Sequence, residues 1–241
     1  MKNITSKLIA LGLTGALAVV SFTACSKAKE TTAETTADTV VEKMSGDKRV
    51  GGWSVPQDTK ITEEELKIFN KAIEGLTGVG YEPVAYLGSQ VVAGTNHCFL
   101  CKSIVIYPGA TNRYTLVYIY EKFDGTEEIL KFEDVTLPGT ADADGTPIAG
   151  GWRYTENPEA DDNVAEIVDK ATAKLLGAEY EPVAYIGSQV VAGMNHAVLC
   201  RVTAVSPDAE SGYALVYIYE DLNGGVEVLE INEITLSIDA K

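Results

Sequence analysis

An internal repeat constrains this chain more than any other feature of its sequence. The run Gln90-Val91-Val92-Ala93-Gly94 recurs as Gln189-Val190-Val191-Ala192-Gly193, an offset of 189 − 90 = 99 residues, and the blocks at 51–53, 82–86 and 116–121 recur at the same offset. A period this long is typical of duplicated globular domains rather than of a solenoid. We therefore expect two domains of one fold, at 49–137 and 148–238, joined by a linker at 138–147 that is small, polar and rich in Pro and Gly.

Each repeat begins with a pattern that predicts a helix. In the first repeat Thr62 followed by Glu65 has the form of a capping box, and in the second Asp161 or Asp162 is placed to cap. Apolar residues then recur at helical spacing, namely Leu66, Phe69, Ile73 and Leu76 in one copy and Val164, Val168, Ala171 and Leu175 in the other. The helices are expected to stop at Gly78 and Gly177.

The rest of each repeat predicts an antiparallel meander. In the first repeat the β-branched and aromatic segments are 82–87, 96–107, 114–121 and 128–137, and turn residues separate them. One helix followed by such strands is typical of the α+β class. We expect each domain to be one helix packed across an antiparallel sheet of about four or five strands. The alternation of Tyr118, Tyr120, Tyr217 and Tyr219 with Val and Ile predicts one half-buried face of that sheet rather than a carbohydrate-binding surface.

The first 25 residues have the features of an export signal rather than of a fold. Lys2 and Lys7 form a short basic region, and residues 8–20 are apolar but too few to span a bilayer comfortably. The run ends at Phe22-Thr23-Ala24-Cys25, which resembles a bacterial lipobox with Phe in place of the usual Leu. We expect lipidation at Cys25, the alternative being a plain secretory signal with an incidental Cys. Residues 26–48 predict a flexible tether, so the protein is expected at the extracellular face of a bacterial cell membrane, anchored by lipid, or secreted.

Charge and cysteine content narrow the classes of partner. The formal net charge is −16 at pH 7, and nucleic-acid binding requires basic patches, so we expect no nucleic-acid partner. Besides Cys25 the chain has Cys98, Cys101 and Cys200, an odd number that does not indicate a disulfide framework. The domains are therefore expected to be held together by core packing.

The repeated motif is unusual for a connection between strands. Turn residues bracket residues 90–94 on both sides, yet the middle is apolar and β-branched, whereas the tip of a hairpin is normally polar. An exposed apolar tip usually marks a contact surface. A short buried strand between two turns would give the same pattern, so the residues alone leave both interpretations open.

The motif resembles the Gln-x-Val-x-Gly signature of the cystatins, which inhibit papain-like cysteine proteases. Residues 89–96 are similar to the disulfide-free stefin branch, and the order Gly-Gly, helix, strand, signature and further strands fits both repeats over their full length. The resemblance implies two tandem cystatin-like domains, each with a helix wrapped by an antiparallel sheet.

The resemblance also implies where a protease would bind, because cystatins enter the groove of the enzyme with an N-terminal trunk and two hairpin tips. The trunks would be Gly51 and Gly52 after Val50, and Gly150 and Gly151 after Ala149. The first tips would be Gln90, Val91, Val92, Ala93 and Gly94 in one repeat and Gln189, Val190, Val191, Ala192 and Gly193 in the other. The second tips would be Phe123, Asp124 and Gly125 in one repeat and Leu222, Asn223 and Gly224 in the other. Neither second tip has the Pro-Trp of secreted cystatins or the Leu-Pro of stefins, so Phe123 or Leu222 would supply the apolar contact.

A metal site or a nucleophile pair is the competing interpretation of His97, Cys98 and Cys101, with His196 and Cys200 in the second copy. Side chains alternate across a strand, so Cys98 and Cys101 are expected to point to opposite faces. His97 and Cys101 share a face but lie roughly 13 Å apart, beyond the reach of a hydrogen bond. We expect no metal, no cofactor and no enzyme activity from this cluster.

Two functions from different classes are compatible with the sequence. The first is a reversible, double-headed inhibitor of papain-like cysteine proteases that binds up to two enzymes per chain and is attached to the membrane by its lipid anchor. The second is a non-inhibitory binding or adhesion lipoprotein of the cell surface with a cystatin-like fold, since fold alone does not fix function.

Overall fold

The computed structural model describes residues 51–105, 112–140, 148–206 and 210–238. The predicted signal peptide with Cys25, the predicted tether, Val50 of the first trunk and residues 141–147 of the predicted linker lie outside these ranges. Within the described ranges, no helix has both the length and the apolar composition needed to cross a membrane.

The two halves of the chain repeat one order of elements. The first half contains β1 (Trp53–Ser54), α1 (Glu63–Ile73), β2 (Val79–Val92), β3 (Gly94–Val105), β4 (Arg113–Glu121) and β5 (Glu127–Val135). The second half contains β6 (Arg153–Tyr154), α2 (Asp162–Thr172), β7 (Ala178–Val191), β8 (Gly193–Ala204), β9 (Ser211–Glu220) and β10 (Val226–Ile234). Each half forms one antiparallel sheet of five strands in which neighbours along the chain are neighbours in space.

The starts of the helices follow the predicted caps, whereas their ends do not follow the predicted stops. The side chain of Thr62 accepts from the Glu65 backbone N–H, and Glu65 accepts from the Thr62 N–H at 2.7 Å, which completes the capping box. Asp161 caps α2 by accepting from the Val164 N–H at 2.9 Å. The helices end at Ile73 and Thr172, so the stops predicted at Gly78 and Gly177 are wrong by about one turn.

One face of each sheet packs against the helix of its own half. In the first half the buried cluster contains Ile68 and Phe69 of α1 with Tyr86, Phe99, Cys101, Val117 and Ile119 of the strands. The predicted stripe is wrong at Leu66, which is 40% exposed, because Ile68 takes its place against the sheet. In the second half Val164, Ile167 and Val168 of α2 pack on the corresponding strands.

The other faces of the two sheets pack against each other. A single buried cluster takes Leu87, Leu100, Leu116 and Tyr118 from the first sheet and Ile186, Leu199, Leu215 and Tyr217 from the second. β4 shows the consequence, since its six consecutive residues 114–119 are all buried. The layers therefore follow the order helix, sheet, sheet, helix, and the largest core lies between the sheets.

This arrangement corrects the predicted fold class. The prediction of an α+β fold of two tandem cystatin-like domains is wrong, because the structure is mostly β: 51% is strand and 13% helix, in two five-stranded antiparallel sheets. Each helix does contact its own sheet, but the two sheets share the largest core. The physical reason is that the face of each sheet opposite its helix packs against the other sheet instead of facing water. A run that is apolar on both faces, as at 114–119, is the sequence signal of such a doubly covered strand. The prediction that the tyrosines form a half-buried face was also wrong for Tyr118 and Tyr217, which are buried between the sheets.

Candidate functional site

Three segments of the first half meet at one end of its sheet. The β2–β3 hairpin pairs Val91 with Thr95 and turns at Ala93. β1 pairs Trp53 with Gln90, which places the preceding Gly51 and Gly52 beside this hairpin. On the other side Thr95 pairs with Glu121, so the β4–β5 turn at residues 122–126 follows next to it. We call these three segments, Gly51-Gly52, 90–94 and 122–126, loop cluster 1.

The second half repeats the arrangement. Val190 pairs with Met194 in the β7–β8 hairpin, β6 pairs Arg153 with Ser188, and Met194 pairs with Glu220 at the start of the β9–β10 turn. Loop cluster 2 therefore consists of Gly150-Gly151, 189–193 and 221–225.

The tips of both loop clusters carry large apolar side chains into solvent. Val91 is 74% exposed and Val190 70%, while Phe123 is 88% and Leu222 83% exposed. Of the two interpretations that the sequence left open for the repeated motif, the structure has the exposed hairpin rather than the short buried strand. An apolar side chain displayed at a tip in both copies is typical of a contact surface.

The glutamine of the motif ties the hairpin to the trunk and to the next strand. The Gln90 Nε2 donates to the carbonyl oxygen of Gly51 at 2.6 Å, and the Gln90 Oε1 accepts from Asn96 Nδ2 at 2.8 Å. The second copy repeats both bonds, from Gln189 to the Gly150 oxygen at 2.9 Å and from Asn195 to Gln189 at 2.8 Å. One amide thus bridges three neighbouring segments just behind the exposed tip.

The glycine of the motif lets the neighbouring strand approach the hairpin. Gly94 has φ +134°, and a Cβ at this position would collide with the carbonyl oxygen of Glu121 and with the ring of Tyr120. The Tyr120 hydroxyl donates to the Ala93 carbonyl oxygen at the turn. In the second copy Tyr219 donates to the Ala192 oxygen at 2.7 Å. The tip is therefore held by a tyrosine that only a glycine leaves room for.

A buried histidine braces the base of each hairpin. The His97 ring lies between the Tyr86 hydroxyl, 2.9 Å from Nδ1, and the Glu121 carboxylate, 3.3 Å from Nε2. Burial raises the pKa of Tyr86 to about 12, so its hydroxyl keeps its proton at neutral pH. His196 makes the same contacts with Tyr185 and Glu220, at 2.9 and 3.2 Å. Because Glu121 and Glu220 each end a strand at the second tip, the histidine couples the two tips of its cluster.

The second tips are ordered by aspartates within the turns. Asp124 accepts from the Thr126 hydroxyl at 2.7 Å and from its N–H at 3.0 Å, and these hydrogen bonds hold the pKa of Asp124 below its usual value. Asp221 accepts from the backbone N–H groups of Asn223 and Gly225, which lowers its pKa in the same way. Phe123 and Leu222 therefore project from turns that are fixed by their acidic neighbours.

The two trunks differ in their surroundings. Gly51 and Gly150 have φ +81° and +73°, and Gly51, Gly52 and Gly150 are exposed, whereas Gly151 is buried. The N–H of Gly151 donates to the Ile148 oxygen at 3.0 Å, and a Cβ on Gly151 would collide with the Gly139 oxygen. The first trunk thus presents two accessible glycines, while the second presents one and is folded against residues of the connection between the halves.

Sequence reasoning missed the side chains that hold the tips in place. These are Asn96, Tyr120, His97 and Glu121, with Asn195, Tyr219, His196 and Glu220 in the second copy. Each of the four residues in the first copy is identical to its counterpart 99 positions later. A polar residue that is repeated beside the motif was the signal that could have identified them.

The cysteines near the histidines are buried, on the two faces of the sheet strands. Cys98 lies in the cluster between the sheets and Cys101 on the helix side of the same sheet, as the alternation along the strand predicted. Burial raises the pKa of the Cys101 and Cys200 thiols well above the ordinary value, which keeps them protonated and unreactive. Over the ranges that the structure describes, no group of three His, Cys, Asp or Glu residues is placed to hold a metal ion.

Neither a protein-family model nor a curated protein matches this chain. The loop clusters themselves indicate what the chain can bind. They combine exposed apolar tips, rigid hydrogen-bonded bases and glycines with positive φ, which suits insertion into the cleft of another protein.

Proposed function

We propose that the chain is a reversible inhibitor of papain-like cysteine proteases, in which each loop cluster blocks the active-site groove of one enzyme. The observation that carries the proposal is the alignment of three segments at one end of each sheet, with Val91 and Phe123, or Val190 and Leu222, exposed at the tips. The resemblance of residues 90–94 and 189–193 to the cystatin signature supports the same proposal.

The physical requirements of such an inhibitor agree with these residues. It must fill a groove built for an extended chain without placing a peptide bond on the catalytic Cys. Gly51 turns the trunk away at φ +81°, a conformation that costs a glycine little. Val91 is β-branched and stiff at χ1, so it loses little entropy on docking.

Preorganisation by the hairpin base adds to the affinity. Gln90, Tyr120 and His97 hold the tip before the enzyme arrives, so less ordering is needed on binding. Protease–inhibitor interfaces bury roughly 1,600 Å² in total, and a few central anchors dominate their energy. Val91 and Phe123 are the anchors in loop cluster 1, and Val190 and Leu222 in loop cluster 2.

Titration of active papain with the signal-free chain, residues 26–241, tests the proposal. We expect residual activity to fall in proportion to added chain until the enzyme is saturated. The double variant Val91→Asp with Val190→Asp should lose inhibition while its circular dichroism is unchanged, because a charge would have to be desolvated in the groove. The matched control, Val91→Ile with Val190→Ile, keeps apolar β-branched tips and should retain inhibition. If saturating wild-type chain leaves papain fully active, the proposal fails for this class of enzyme.

A second candidate function is non-inhibitory binding or adhesion at the cell surface. The buried Gly151 favours it for loop cluster 2, because a trunk folded onto the connection is not free to enter a groove. In that case the exposed tips would bind the surface of a partner protein without blocking an active site. Binding of papain without loss of its activity would distinguish this function from inhibition.

We also propose that a lipid on Cys25 holds the protein at the extracellular face of the cell membrane. The lipobox-like run at 22–25 supports this proposal. Metabolic labelling with a radioactive fatty acid tests it: the wild-type chain should be labelled and Cys25→Ser should not. Equal labelling of both proteins would contradict a lipid on this residue.

A further inference from the structure

The two loop clusters lie at opposite ends of the molecule, because the two sheets pack with their cluster ends pointing in opposite directions. Gly88 is three residues from Val91, and it faces the Leu236 side chain of the second half. Leu236 follows β10, whose last pair joins Ile234 to Tyr213 of β9. Tyr213 in turn pairs with Arg201 of β8, at the end of the second sheet far from loop cluster 2. The cluster end of the first sheet therefore covers the far end of the second.

The reciprocal contact confirms this direction. Gly187 is three residues from Val190 and faces the Leu137 side chain. Leu137 follows β5, which ends at Val135 on the far side of the first sheet from loop cluster 1. The two contacts are related by the 99-residue offset, so the sheets meet with an approximate twofold symmetry.

Polar contacts along the edges agree with the apolar ones. The Tyr114 hydroxyl donates to the Thr155 oxygen at 3.0 Å, and Lys102 Nζ donates to the Glu156 oxygen at 2.8 Å. Tyr114 and Lys102 pair with each other at the far end of the first sheet. Thr155 and Glu156 directly follow β6 near the cluster end of the second sheet, since the Thr155 N–H donates to the oxygen of Ile186, four residues from Val190. At the opposite edge Trp53 of β1 lines one groove together with Glu181 and Arg201 of the second sheet.

The separation between the tips follows from strand length. Glu181 pairs with Arg201 near the far end of the second sheet, and Gly88 of the first sheet lies near this end because it contacts Leu236. From this point the second sheet extends from Glu181 to its tip at Val190, and the first sheet extends in the opposite direction from Gly88 to its tip at Val91. At ~3.3 Å per residue the two segments together separate the tips by about 40 Å. A globular enzyme of about 200 residues has a radius of gyration near 16 Å. Two such enzymes approaching from opposite ends would not overlap.

We infer that one chain binds two protease molecules at the same time, one at each end, and so bridges them. This inference rests on the proposed inhibitory function. The rigid core shared by the two sheets fixes the angle between the sites, unlike a flexible linker between independent domains. Because the clusters lie at opposite ends, an enzyme bound at one loop cluster leaves the other loop cluster uncovered, whichever of them fills first.

Sedimentation of the signal-free chain (residues 26–241) with excess papain tests the inference, using papain whose catalytic Cys is replaced by Ser to prevent cleavage. We expect the wild type to saturate as one chain with two enzymes. The single variants Val91→Asp and Val190→Asp should each saturate as one chain with one enzyme, because each keeps one intact cluster. Inhibition of active papain is measured in parallel for all three proteins.

The outcomes separate this inference from the function on which it rests. If the wild type saturates at one enzyme although both single variants bind and inhibit, the sites exclude each other and the inference is wrong while the function stands. If only one single variant binds, one cluster acts alone and the inference is again wrong. If neither the wild type nor the variants inhibit active papain, the proposed function itself fails.

Discussion

The side-chain amide of Gln90 donates to the main-chain oxygen of Gly51 at 2.6 Å, and this bond joins two parts of loop cluster 1 that are 39 residues apart in the chain. The same bond recurs between Gln189 and Gly150. The motif glutamine therefore fixes the trunk relative to the hairpin.

Replacing this glutamine should weaken inhibition without unfolding the protein. A neutral hydrogen bond contributes about 0.5–1.5 kcal/mol, so Gln90→Ala with Gln189→Ala should raise the inhibition constant roughly two- to twelvefold through the freed trunks. Steady-state inhibition of papain measures this. The matched control is Gln57→Ala, at an exposed position outside both loop clusters, which should leave the constant unchanged. An unchanged constant for the double variant would show that the trunk does not contribute to binding.

The motif glycine should be far less tolerant of substitution than a glycine at the second tip. Gly94→Ala places a methyl group at φ +134° against the Glu121 oxygen and the Tyr120 ring, whereas Gly125→Ala has φ +75° and no atom within 4 Å. Strain at positive φ alone costs about 1–2 kcal/mol, so Gly125→Ala should lower the free energy of unfolding by about that much. Gly94→Ala should lower it further, because the Tyr120 contact is also broken. Urea unfolding gives both values. Equal losses would mean that the strand approach at Gly94 is relaxed in solution.

Much of the site and fold was readable from local sequence, for definable reasons. The capping box at Thr62 and Glu65, the Asp161 cap and the order of strands all depend on residues close together in the chain. The face of each sheet opposite its helix is covered by the other sheet, whose equivalent residues lie about 99 positions away in the chain. Residues 114–119 signalled burial on both faces, but the signal does not say what covers the second face.

The same limit applies to the candidate site. The exposure of Val91 and Val190 could not be settled from the pattern, because a buried strand between turns has the same composition. The brace formed by His97 and Glu121 was missed, since it spans two strands and its members are 24 residues apart. Their identity in both repeats, instead of any local pattern, was the available clue.

Because the sheets share one core, either half alone should be unstable. Residues 49–137 expressed separately would expose Leu87, Leu100, Leu116 and Tyr118, which are buried against the second sheet in the full chain. An apolar patch of this extent favours self-association, so we expect aggregation or a dimer by size-exclusion chromatography, with strong binding of a hydrophobic dye. The full chain should be monomeric and bind little dye. A separate half that is monomeric and unfolds cooperatively would contradict the face-to-face packing.

The buried thiols should resist modification in the folded protein. Cys98, Cys101 and Cys200 are fully buried, and burial raises the pKa of each thiol, so the reactive thiolate is scarce and shielded. A Cys25→Ser form titrated with a thiol reagent at pH 8 should show no fast reaction when native and three reactive thiols in urea. Rapid reaction of one native thiol would show that its core opens locally.

Stability should fall on the alkaline side, and the sign follows from the direction of the shifts. Burial raises the pKa of Tyr86 and Tyr217 from 10.0 to about 12, and it raises that of Tyr118 as well. A group whose pKa is higher in the folded state favours the fold below its unfolded pKa, and that contribution is lost as pH rises through the folded pKa. The free energy of unfolding should therefore be level from pH 7 to about 9 and should decline from about pH 10 to 12 as unfolded tyrosines ionise first. Urea unfolding at pH 8 and 10.5, with tyrosinate absorbance at 295 nm as a second readout, measures it. Tyr118→Phe should reduce this decline in the free energy of unfolding, because it removes one ionisable hydroxyl from between the sheets. A decline of the same size in this variant would assign the effect to the other buried groups.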